Sequence, residues 1–170
     1  GGTIQYGWAI WSTDLLCEAE FHSVWKTLDG KLIDVTPQED YDHDAILFLP
    51  DNKFVYTGQV VDNIRLNNTS NPLVDDFIKV CEFLTTVKSK GLNIDGDFYL
   101  EGNLAILSLA LSDWKKDLEK FINLGRTEFH RCFCGRNFSY ANCHGFEIEQ
   151  NHNQPRYSIS HKTTPLLLQH

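Results

Sequence analysis

Three of the chain's five cysteines and one of its seven histidines fall in the run Cys132-Phe133-Cys134-Gly135-Arg136-Asn137-Phe138-Ser139-Tyr140-Ala141-Asn142-Cys143-His144-Gly145. Thiolates and an imidazole in this proportion form the tetrahedral sulfur and nitrogen set that zinc takes in closed structural sites. The C-x-C spacing supplies two sulfurs from one tight turn, with Gly135 leaving the backbone room to bend, and Cys143 and His144 close the set from the far end of a short loop. A disulfide is the poorer reading, because Cys132 and Cys134 are badly placed to bond each other and would leave a thiol over. His130 and His152 flank the run and are alternative fourth ligands. Four protein ligands leave no position for water, so the site is expected to be structural and not hydrolytic. Phe138 and Tyr140 are the apolar residues expected beside the metal.

A second group lies near the other end of the chain. Over Leu15 to Trp25, period two puts Cys17, Ala19, Phe21, Ser23 and Trp25 on one strand face, the expected core face, and Glu18, Glu20, His22 and Val24 on the other. Two carboxylates and an imidazole on one face are a geometrically possible metal set. His22 and Asp34 are also a possible base and orienting acid, depending on the hairpin at Thr27-Leu28-Asp29-Gly30-Lys31. A two-residue Asp-Gly loop pairs Leu28 with Lys31 and sends His22 and Asp34 to opposite faces. A three-residue loop ending in a left-handed glycine pairs Thr27 with Lys31 and Val24 with Asp34, and puts them on one face as diagonal neighbours. Both registers are open to this sequence.

The cysteine run resembles the SEC-C motif, C-x-C-G followed by a C-H or C-C pair, and the resemblance covers residues 132–145 alone. It implies a zinc knuckle that often serves as a docking surface for a protein partner. In the preprotein-translocase ATPase that knuckle is lysine-rich; here the loop offers Arg136. Glu20-Phe21-His22-Ser23-Val24-Trp25 followed by Gly30-Lys31-Leu32-Ile33-Asp34-Val35-Thr36-Pro37 resembles the His and Asp strands of transglutaminase-like, papain-like cysteine enzymes. Those carry H-x-W and D-x-T-P, whereas here the tryptophan stands three residues after the histidine. The resemblance implies His22 as base and Asp34 as its orienter in a hydrolase or acyltransferase. The family's nucleophile is a cysteine at a helix N-terminus upstream of the histidine, and Cys17 sits on the opposite strand face. The chain opens Gly1-Gly2 and has no methionine, which reads as an expression scar or a missing upstream segment able to carry such a residue.

The elements that must position these groups follow from pattern. Residues 1–70 read as an antiparallel sheet or small open barrel, with strands over Ile4–Trp11, Leu15–Trp25, Ile46–Leu49 and Phe54–Thr57, and another within Gln59–Leu66. Asn71-Pro72 opens a helix carrying Leu73, Phe77, Val80, Cys81, Leu84 and Val87 at helical spacing and stopping at Gly91. Cys81 lies on the apolar face as a core thiol. A second helical region runs from Leu104 to Leu124, continuous or restarted at Ser112-Asp113, with Trp114, Leu118, Phe121 and Ile122 inward. Asn93 to Asp97 lacks the glycine and the glutamate of a calcium loop. The fold class is therefore α+β, divided into an α+β domain at 1–125 (sheet 1–70, helices 71–125), a knuckle at 126–147 and a tail at 148–170 with a possible late hairpin.

Length and composition set the frame. A chain of 170 residues buries roughly 70% of its unfolded surface, enough for a real core. Fifteen Lys and Arg against 23 Asp and Glu give a net charge of -8, which argues against nucleic-acid and anionic-membrane partners. No apolar run reaches the roughly 18 residues of a membrane span. Thiols committed to metal favour a reducing compartment, so the cytoplasm is the expected location. A zinc-dependent binding or adaptor module is the leading reading and the cysteine enzyme the alternative.

Overall fold

The computed structural model describes residues 1–36, 46–94 and 97–152, and it is α+β as the pattern requires. The two longest strands, β1 (Gly2–Ser12) and β2 (Leu16–Thr27), form one antiparallel hairpin from Gly2 opposite Thr27 to Ser12 opposite Cys17. β4 (Leu47–Pro50) adds to the outer side of β1. The far side of β2 is shared by β3 (Leu32–Ile33) at one end and β5 (Ile64–Asn67) at the other. Among the described residues the sheet is open, not a closed barrel.

Pairs directly opposite in register share a face. One face carries Ile4, Tyr6, Trp8 and Ile10 of β1, Cys17, Ala19, Phe21, Ser23 and Trp25 of β2, Ile33, Leu47 and Leu49, and Ile64 and Leu66, with no charged residue among them. Burial does not follow the expectation that this is the core side. Trp8 is buried here, but Ala9 and Val24 are buried on the face of Glu18, Glu20 and His22, and Ile4, Leu47, Leu49, Ile64 and Leu66 are exposed. Phe54–Thr57 is not a strand. It belongs to the segment running from β4 at one edge to β5 at the other, and Phe54 lays its ring against Trp8 and Phe21 at centroid distances of 5.5 and 6.1 Å. Aromatic packing over the sheet, rather than ladder bonding, uses its apolar side chains.

The main core lies beyond the sheet. α1 (Pro72–Lys88) starts where expected, with the Asn71 side chain accepting from Leu73 N at 3.1 Å and Pro72 in the first turn. It ends at Lys88, three residues before Gly91. α2 (Gly102–Asn123) is continuous, because the Ser112 hydroxyl donates back to the Ser108 carbonyl at 2.8 Å instead of capping a new helix. Its end is closed by Gly125 N to Ile122 O and Arg126 N to Phe121 O, a Schellman pair. Between the helices a short hairpin forms from β6 (Leu92–Ile94) and β7 (Asp97–Tyr99).

Leu73, Val80, Leu84 and Val87 of α1 and Leu111, Leu118 and Phe121 of α2 share one core with Cys132, Tyr140, Cys143 and Ile148. The cysteine run is thus packed into the helical pair. It passes through one π-type turn (Ala141–Gly145) directly into α3 (Phe146–His152). The alternation Phe146-Glu147-Ile148-Glu149 is therefore helix, not the start of a hairpin. Four residues of period two do not exclude a helix, and Glu147 and Glu149 near its N-terminus suit the dipole. The rest of the expected tail, 153–170, and the acidic stretch 38–44 lie outside the described residues.

Candidate metal centre

Around the cysteines the chain folds back on itself as a short ribbon. Cys132 N donates to Phe138 O, Tyr140 N to His130 O and Ala141 N to Glu128 O, each at 2.9 Å. Between the two arms the C-x-C turn closes with Gly135 N on Cys132 O at 3.2 Å, and Gly135 takes a left-handed φ of 78° that a side chain would resist. The Arg131 guanidinium ties the turn by donating to Gly135 O at 2.9 Å. The π-type turn then presents Cys143 and His144, adjacent in sequence, to the same point.

The result brings all four candidate ligands together. One ligand atom from each of Cys132, Cys134, Cys143 and His144 lies within 4.8 Å of every other. Cys132 Sγ is 3.0 Å from His144 Nδ1, Cys143 Sγ 3.5 Å from the same nitrogen, and Cys134 Sγ 3.5 Å from Cys143 Sγ. A tetrahedron with metal-sulfur bonds of about 2.3 Å has edges of about 3.8 Å, so these spacings fit one four-coordinate ion. They do not fit a disulfide, which needs about 2.05 Å, and all five cysteines are free. Cys132 and Cys143 are buried and Cys134 is exposed, so the centre sits at the surface with its inner side in the core.

The flanking histidines do other work or fall outside. His130 Nδ1 is held by Thr127 N at 3.0 Å, a local turn bond, and the side chain of His152 lies outside the described residues. The aromatic support also differs from the expectation. Tyr140 is fully buried, but Phe138 is exposed, and Phe133 takes its place with its ring 4.6 Å from His144. Trp114 of α2 meets the imidazole edge to face at 4.8 Å. Neither residue stands out in the sequence, since Trp114 is thirty residues from His144 on a helix that reads as ordinary core.

Electrostatics act differently on the four groups. Burial pushes the Cys132 thiol up, and burial with the neighbouring thiols pushes Cys143 to about 12. At Cys134 burial is outweighed by the Arg136 backbone and the other two sulfurs, which hold the thiol below its ordinary value. Burial pushes His144 down, leaving its imidazole neutral and able to ligate.

The second group resolves differently. Gly30 is left-handed at φ 84°, Thr27 N donates to Lys31 O at 2.9 Å, and Trp25 stands opposite Ile33, so the hairpin has the three-residue loop. His22 and Asp34 therefore share a face, with Nε2 and Oδ2 3.2 Å apart. The contact is close but poorly aligned for a hydrogen bond, and the His22 Nε2 is buried without a well-directed partner. Burial raises the Asp34 carboxyl, but the Thr36 backbone and hydroxyl together with His22 outweigh it and hold it below its usual value. Cys17 faces the other way, opposite Ser12 on the apolar side. Glu18 is bound to Arg65 Nε at 2.7 Å and to Asn63 at 2.9 Å, so it does not join Glu20 and His22 around a metal. Among the described residues the three-cysteine, one-histidine group is the only such cluster.

Comparison with known proteins gives no matching family model, no matching curated relative and no matching solved structure. The candidate metal centre stands on its own residues. No helix among the described residues is long and apolar enough to cross a membrane.

Proposed function

We propose that this chain is a zinc-binding module in which Cys132, Cys134, Cys143 and His144 hold a structural zinc ion, and that the knuckle so fixed docks a protein partner. The observation that carries this reading is the mutual approach of three sulfurs and one Nδ1 at tetrahedral spacing. The ligand chemistry favours zinc over hard cations, which take oxygen donors. With four protein ligands, zinc would supply folding energy and not an activated water. Exposed Phe129, Phe138 and Phe146 around the knuckle support the docking role, since aromatic side chains are common anchors of interfaces.

Metal analysis of the purified chain is expected to give one zinc per chain, lost in Cys132→Ser. Stoichiometric zinc surviving that substitution would sink the ligand assignment. Docking predicts that Phe138→Ser keeps its zinc and loses a partner that the parent chain binds; equal binding by both removes that role.

A second reading, a cysteine-dependent hydrolase or acyltransferase, is favoured by the approach of His22 to Asp34. It needs a thiol that no described residue supplies, because Cys17 faces away and Cys81 is buried in the helical core with its thiol pushed up by burial. Labelling of the chain by an acylating thiol probe, abolished in His22→Ala, would support it. Labelling indifferent to His22 would dispose of it.

A further inference from the structure

We infer that the apolar face of the sheet is the interface through which two copies of this chain associate. The outward positions of β1 through β5 on this face carry no charge, in a chain whose net charge is -8. Much of that face is uncovered, with Leu47 at 69%, Leu49 at 59%, Ile64 at 53% and Leu66 at 63% exposure. The segment carrying Phe54 crosses it without sealing it, and adds its own exposed Val55 and Tyr56. Isolated exposed leucines are ordinary, but four exposed aliphatic side chains on the outer strands of one apolar face are not.

Area and charge together point to a second copy as the occupant. A half-exposed apolar side chain of this size presents on the order of 100 Å². The exposed strand and crossing-segment side chains therefore offer on the order of 1,000 Å², above the roughly 800 Å² per partner of a stable interface. A basic partner would be selected by a row of carboxylates; the strand positions of this face have none, and Asp51 beside it already accepts from Trp8 Nε1 at 3.3 Å. Two chains of the same acidic charge can meet only where like charges stay apart, and a face whose strand positions carry no charge lets them do so. A twofold arrangement makes the patch self-complementary, so the same side chains are buried in both copies.

Sedimentation equilibrium of the whole zinc-loaded chain tests this at concentrations up to about 100 μM. The expected result is a dimer of twice the 19.5 kDa chain mass. Leu49→Lys and Ile64→Lys, both at exposed positions, are expected to raise the dissociation constant at least about a hundredfold with unchanged circular dichroism and zinc content. Leu109→Lys, an equally exposed position on α2, should leave the dimer intact. A monomer at every concentration overturns the proposal in favour of a different partner chain on this face. A dimer that survives both sheet substitutions overturns it in favour of another interface. Because zinc content is read in the same samples, failure of the metal reading is seen separately.

Discussion

The Trp114 indole stands edge to face with the His144 imidazole, 4.8 Å between centroids, while Phe133 covers that imidazole from within the knuckle at 4.6 Å. A candidate metal ligand thus touches both the ribbon that presents the sulfurs and the helix that forms the core. Loss of metal frees His144 and disturbs Trp114 directly. The expected outcome of chelation is a change in tryptophan emission that is absent in Trp114→Phe, although Trp8, Trp11 and Trp25 remain. Because the cysteines share the helical core, several kcal/mol of stability should go with the metal, lowering Tm by roughly 10 °C. An unchanged melting curve after complete metal removal would contradict this coupling.

Metal binding should release protons. Cys132 and Cys143 are neutral thiols at pH 7 without metal, since burial raises both, and zinc takes thiolates. At least two protons should leave per ion, His144 contributing none because it is already neutral. Apparent affinity should then rise about a hundredfold per pH unit between pH 6 and 8. Calorimetry in buffers of different ionisation enthalpy counts the protons, and a count below two would show that the thiols are already ionised.

Tyr140 joins the knuckle to α1. Its ring stacks near Phe121 at 5.9 Å, and its buried hydroxyl, without a well-aligned partner, is pushed far above the ordinary phenol value by burial and then by Asp76. Tyr140→Phe should therefore cost less than about 1 kcal/mol or stabilise slightly. Tyr140→Ala leaves a cavity among Phe121, Phe133 and the metal centre and should cost about 3–5 kcal/mol in denaturant unfolding, with weakened zinc binding. Equal losses in the two variants would assign the stability to the hydroxyl instead of the ring.

The Asp34 carboxyl contributes to stability with a definite sign. Its folded pKa lies below the unfolded value, so the contribution is fully present above about pH 4 and is lost as pH falls through the folded pKa. Asp34→Asn should cost up to about 1 kcal/mol at neutral pH, and the gap to the parent chain should close below pH 4. Urea unfolding from pH 7 to pH 2.5 checks this; a gap that widens on acidification would mean that the shift has the opposite sign.

The ionic tie between sheet and helix was hidden in the sequence for a general reason. Arg65 lies on β5, bonded to Glu18 of β2 at 2.7 Å and to Asp62 at 3.0 Å, and Asp62 accepts from Thr85 of α1 at 2.9 Å. Every member is an unremarkable polar residue in its own segment. Only strand pairing and helix docking make them one network, and the network redirects Glu18 away from His22.

Local chemistry settled the start of α1, the closing turn of α2 and the grouping of Cys132, Cys134, Cys143 and His144 as a candidate metal set, because capping, turn formation and C-x-C spacing act within a few residues. Choices made between distant segments needed the tertiary structure. It selected the three-residue hairpin that brings His22 to Asp34, replaced Phe138 by Phe133 and Trp114 beside the imidazole, and turned Phe146 to His152 into helix. It also left apolar a sheet face that alternation alone marks as core. Period two reports that a strand has one apolar side; what covers that side is decided by where the helices pack, and here they pack on the cysteines.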